Sequence, residues 1–170
     1  MNFVSPLLRL IDHVSPPERV SAHCDIPCGI YDPHFAQIAA LTVLRMDQLI
    51  GNLQPAGSDK AATDAYASQI ARYTKTKEDH AELCKKEIDI LWHDYFKPEH
   101  LDKYPDLHKT FWDATKLASK CKQTFDEAAA NDLLAATNRI AEIFWDTKGV
   151  PTRKSGSNQA VGGELVYVAN

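Results

Sequence analysis

The sequence predicts an all-α protein, an antiparallel four-helix bundle preceded by an N-terminal hook rich in His and Cys. Three observations predict it. Four segments repeat apolar residues at three- and four-residue steps, the connections between them are short, and no internal repeat or strand-like alternation competes with the helical period. At 170 residues, with 44% hydrophobic and 25% charged content, the chain suits one domain with a sizeable core.

Residues 1–22 carry Pro6, Pro16 and Pro17, which interrupt any long helix, around a short apolar patch at Leu7, Leu8, Leu10 and Ile11. The first helix is expected over 35–53, with Ala39, Val43, Met46, Ile50 and Leu53 on one stripe. Pro55 and Gly57 mark a loop. A longer helix follows over 59–95, with Tyr66, Ile70, Tyr73, Cys84, Ile88, Leu91 and Tyr95 on its inner face. A third begins near Pro105, a favoured first-turn residue, and aligns Leu107, Phe111, Ala114, Ala118 and Cys121. The fourth spans 125–148, faces Ala129, Leu133, Ala136, Ile140 and Phe144 inward, and ends at Gly149. The tail, 149–170, is rich in Gly, Ser and Asn and is expected to be flexible, although the apolar run 165–169 is ambiguous.

The net charge of −4 comes without any Lys/Arg-dense stripe, which argues against nucleic acid as a partner. No apolar run reaches the roughly 18 residues that span a bilayer, so no membrane insertion is expected. The head ends in small residues, Val20-Ser21-Ala22, but Arg9 and Asp12 break its apolar stretch and it lacks a basic start. It reads as a propeptide removed by a processing peptidase, in a cytoplasmic protein. Four cysteines then point to metal or buried thiols rather than a disulfide framework.

The run His23-Cys24-Asp25-Ile26-Pro27-Cys28-Gly29-Ile30-Tyr31-Asp32-Pro33 is the most informative. Cleavage after Ala22 would free an amine on His23, next to the amide and thiol of Cys24. Amine, amide nitrogen and sulfur close two five-membered chelate rings on a metal. Cys28 can curl back with a second thiolate, because Pro27 fixes φ and Gly29 tolerates a tight bend. The His23 imidazole can then swing above that plane as a fifth donor. Such a planar N and S set favours Ni(II) or Cu(II) over tetrahedral Zn. The chain is thus expected to carry an N-terminal metal-binding hook. By spacing alone, Cys-x3-Cys also fits half a zinc site, a strained disulfide or two buried thiols.

The whole string resembles the hook of the nickel superoxide dismutase family, His-Cys-Asp-x-Pro-Cys-Gly-x-Tyr-Asp-Pro, at every fixed position. A second, distant match runs from Leu91-Trp92-His93-Asp94-Tyr95-Phe96-Lys97-Pro98-Glu99-His100 through Lys103-Tyr104-Pro105-Asp106-Leu107-His108. The resemblance covers 23–148 and leaves the tail out. It implies a nickel ion as cofactor and His23, Cys24 and Cys28 as its ligands. The implied reaction is disproportionation of superoxide to dioxygen and hydrogen peroxide by Ni(II)/Ni(III) cycling, and the implied assembly is a homohexamer. Sulfur and amidate donors suit that cycle by stabilising the oxidised metal. Tyr31 and Tyr95 are expected near the nickel, where they could gate its open face. Asp25 is expected to shape the hook by hydrogen bonds, since the four planar positions are filled. Cys84 and Cys121 read as core thiols.

The family steadies its axial imidazole with a Glu on the first helix and an Arg on the second, where this chain has Ala39 and His80. Either His80 takes over orientation of the His23 ring, directly or through a water near Ala39, or it is a core histidine bonded to a backbone carbonyl. The altered pair keeps a second function in view, a non-catalytic nickel or copper carrier that uses the same hook. A helical interaction protein with an uncut hook is a third.

Overall fold

The computed structural model describes residues 28–169. Four helices carry most of them: α1 (His34–Asn52), α2 (Lys60–Ile90), α3 (Leu107–Gln123) and α4 (Glu127–Thr147). Each packs on two neighbours, α1 on α2 and α4, and α3 on α2 and α4. The expected bounds hold to within a few residues except at the end of the second helix. There a π-helical turn (Leu91–Tyr95) replaces the last α-helical turn, and a short 3-10 helix (Pro98–Asp102) leads on to α3.

The starts follow from side-chain chemistry. Asp59 accepts from the Ala62 amide at 2.8 Å and Asp126 from the Ala129 amide at 3.0 Å, each satisfying a donor the first turn leaves unpaired. The core is built from the predicted stripes: Ala39, Val43, Cys84, Ile88, Phe111, Ala118, Leu133, Ile140 and Phe144 are all buried. Tyr66, Ile70 and Tyr73, on the first half of α2, are only half-buried. No helix among the described residues is long and apolar enough to cross a membrane.

The tail is the main departure. Expected to be flexible, 149–169 instead forms a hairpin of strands β1 (Thr152–Gly156) and β2 (Glu164–Val168), antiparallel with Thr152 opposite Val168 and Gly156 opposite Glu164. Glycine content suggested mobility, but the glycines work at the turn. Gly163 adopts φ +74°, and a Cβ there would lie 3.1 Å from Leu134 and 3.2 Å from Leu41. The apolar run resolves as strand because Leu165 and Val166 are buried against the helices. Buried polar groups secure them: the Gln37 carboxamide reaches Asn138 at 3.0 Å and the Val166 carbonyl at 3.3 Å. Asn138 donates to the Glu164 carbonyl at 2.8 Å.

Among the described residues, one charge pair lies in the interior. Asp47 on α1 is fully buried and faces the buried Lys77 of α2 at 3.8 Å, while Lys77 also donates to the Thr124 carbonyl. Burial pushes the Asp47 carboxyl above its ordinary range, opposed first by Lys77 and then by the Asp126 main chain, with Asp126 and Glu127 adding to the rise. A carboxyl raised on folding contributes stability that is present below the ordinary carboxylate range and is lost as pH climbs through the raised value. Lys77→Met should therefore destabilise the protein by about 3–5 kcal/mol at neutral pH, since it strands a buried carboxylate. Adding Asp47→Leu should recover most of that loss, and Asp47→Asn alone should flatten the pH dependence just above the carboxylate range. Chemical denaturation across pH 4 to 8 checks all three.

Candidate metal centre

The described part of the hook is its last stretch, entering α1. Cys28 is exposed, and Gly29 beside it adopts φ +71°, a left-handed bend at which a side chain would be strained. Asp32 accepts from the His34 amide at 2.7 Å, and the carbonyl of buried Pro33 accepts from the Gln37 amide at 3.2 Å. This rooting fixes where the thiol-bearing segment leaves the helix.

The π-helical turn positions the other half. The Phe96 amide donates to the Leu91 carbonyl at 3.0 Å, one residue further than an α-helical bond. That extra residue per turn brings the Tyr95 ring to 5.8 Å from the ring of Tyr31, tilted by 55°. The two predicted tyrosines therefore meet. Tyr95 also lies 4.5 Å from Phe144, edge-on to Phe96 at 5.0 Å, and stacked on His100 at 5.7 Å.

Its hydroxyl has a defined role. The Thr147 hydroxyl donates to the Phe144 carbonyl at 2.7 Å, which uses its one proton. In the 2.7 Å contact between Tyr95 and Thr147, Tyr95 is then the donor. Tyr95 thus offers Tyr31 an aromatic face, with its proton committed to α4.

The remaining thiols differ sharply from Cys28. Cys84 and Cys121 are completely buried on α2 and α3. Burial pushes the Cys84 thiol well above its ordinary value and that of Cys121 up to about 11. Both thus behave as small apolar core residues. No group of three His, Cys, Asp or Glu among the described residues could hold a metal ion. The donor types that a trimmed hook would offer, an amine, an amide nitrogen, two thiolates and an imidazole, fit nickel or copper.

His23, Cys24 and Asp25 lie outside the described residues, as does the expected propeptide, 1–22. His80 is half-buried with Nδ1 at 2.9 Å from the Thr76 carbonyl, the backbone bond weighed for it, which leaves Nε2 as the ring atom for any further partner. Ala39 is buried in the helix interface. Sequence reasoning missed Thr147, Lys148 and the stacking role of His100. They belong to no hook motif, and only the end of α4 brings the first two to Tyr95. Tyr95→Phe and Thr147→Val should each lower stability by about 1 kcal/mol. The double variant should cost less than the sum, a coupling that denaturant titration of the four-member cycle measures.

Comparison with known proteins fits this geometry. Residues 18–148 match the family model described as nickel-containing superoxide dismutase. The "Superoxide dismutase [Ni]" of Streptomyces seoulensis is 42% identical over 134 residues, 79% of this chain and 94% of the relative. That of Streptomyces coelicolor is 40% identical over 135 residues, with the same coverage. Among solved structures, native nickel superoxide dismutase aligns with TM-score 0.61 at 38% identity, covering 74% of this chain and 99% of its own. A nickel-containing superoxide dismutase with its ligation in the oxidised state aligns with TM-score 0.63 at 38% identity, covering 75% and 99%. With its family match running from just before the hook to the end of α4, the chain belongs to the nickel-containing superoxide dismutase family.

Proposed function

We propose that this protein is a nickel-dependent superoxide dismutase, converting two superoxide anions and two protons to dioxygen and hydrogen peroxide. The observation that carries the reading is the exposed Cys28 thiol, bent by Gly29 and followed by a tyrosine seated on Tyr95. Nickel, when bound, would supply the electron exchange between two superoxide anions. His23, Cys24 and Cys28 hold it, with the amine freed by trimming residues 1–22. Asp25 shapes the hook.

The protein's own residues do the rest. Tyr31, close to Cys28 in the chain, covers the open face and offers a hydroxyl to the incoming anion or a water. Tyr95 holds Tyr31 in place through ring contact, its own hydroxyl engaged by Thr147. His80 orients the His23 imidazole through Nε2, since Nδ1 is bonded to Thr76. The helices form an antiparallel four-helix bundle with the hook at one end. Six such chains assemble, and the exposed side chains of Ile30, Phe35 and Ile38 offer apolar surface for it. The reduced state of buried Cys84 and Cys121 suits a cytoplasmic protein.

A carrier would need the hook but no aromatic cover over the metal face, and the family match speaks for catalysis. Protein whose mass shows His23 as its first residue should bind about one nickel per chain and consume superoxide. Protein that retains its leader should do neither. Nickel bound by the trimmed chain without turnover would leave the carrier. His80→Ala should lower the rate and weaken the axial nitrogen coupling in the electron spin resonance spectrum; an unchanged spectrum would reject its role.

A further inference from the structure

We propose that Lys148 is the cation that draws superoxide to the Tyr31–Tyr95 face, an inference that rests on the reading of that face as the metal's approach. Lys148 directly follows the last residue of α4 and is exposed. Its Nζ lies 4.6 Å from the ring centre of Phe144, 5.4 Å from that of Tyr95 and 5.7 Å from that of Trp145. Three aromatic faces thus hold one positive charge at the edge of the tyrosine pair, where a free lysine would sweep through solvent.

This charge is uncompensated. Among the described residues, Lys148 makes no ion pair, whereas Lys103, Lys120, Lys122 and Lys154 each have a carboxylate partner. The nearest acid in sequence, Asp146, is already taken: it binds Lys103 and Tyr104, which hold its carboxyl below the ordinary range. A carboxylate so engaged has little field left to cancel Lys148.

The need for such a cation follows from the overall charge. With a net charge of −4, the chain repels superoxide at long range, and capture depends on a local field within roughly the 8 Å Debye length of physiological salt. Lys97, two residues beyond Tyr95 and also exposed, adds to the field, but no aromatic ring holds it among the described residues.

Lys148→Met keeps the apolar stem on the rings and removes only the charge. In nickel-loaded protein at low ionic strength, it should lower kcat/KM for superoxide by roughly two- to fivefold and shrink the fall of kcat/KM with added salt, with kcat unchanged. Lys148→Arg should restore both. Lys60→Met, at the far end of α2 from Tyr95, makes the same change in net charge and should alter neither. Equal salt slopes for Lys148→Met and the unaltered protein would overturn the proposal.

A second readout does not depend on turnover. In a background carrying Trp92→Phe and Trp112→Phe, which leaves Trp145 as the fluorophore, iodide should quench more strongly with Lys148 present than in the Lys148→Met variant, while neutral acrylamide quenches both alike. Loss of that difference would overturn anion attraction by Lys148. Its persistence in protein that binds nickel yet consumes no superoxide would uphold the attraction and overturn the dismutase reading instead.

Discussion

The contact between the rings of Tyr31 and Tyr95 ties the irregular segment 28–33 to a ring cluster of Tyr95, Phe96, His100 and Phe144. Residues 28–33 are held by it and by the first turn of α1. A ligand segment needs such an anchor, because donors must be held to a fraction of an ångström if the metal's geometry is to stay constant through a redox cycle. The anchor is in turn built on the π-helical turn, whose extra residue rotates Tyr95 toward Tyr31, and on Thr147, which holds the phenol from α4. An α-helical turn in its place would re-aim Tyr95 and break the contact.

The same arrangement separates the described thiols by chemical fate. Hydrogen peroxide oxidises thiolates, so a dismutase endangers its own cysteines. Cys84 and Cys121 escape because burial keeps them protonated as well as inaccessible. Cys28, by contrast, is exposed.

Much of this was legible in the sequence. The helices followed from period: the aligned residues of α3 and α4 are nearly all core, and Gly149 falls just past the end of α4 as expected. The pairing of Tyr31 with Tyr95 was readable because both lie in strings that match one family. The hairpin was not, since Gly162 and Gly163 look alike in a mobile tail and in a tight turn, and only the burial of Leu165 and Val166 decides between them. Nor was the Asp47–Lys77 pair, for a charged residue on a helical stripe gives no sign that a partner waits on the next helix. The roles of Thr147 and Lys148 depend on which end of α4 meets the π-helical turn, a matter of tertiary packing that no local pattern carries.

The hairpin lies outside the stretch matched to the family, yet it closes on the first turn of α1, with Tyr167 6.3 Å from the ring of His34 and Val168 exposed beside it. The C-terminal strand thus finishes next door to the segment that bears Cys28. Any peptide fused there for purification would trail past the segment that bears Cys28, and one made of histidines would bring foreign metal donors close to that thiol. For handling this protein in the laboratory, the surface loop between α1 and α2 is the safer attachment point.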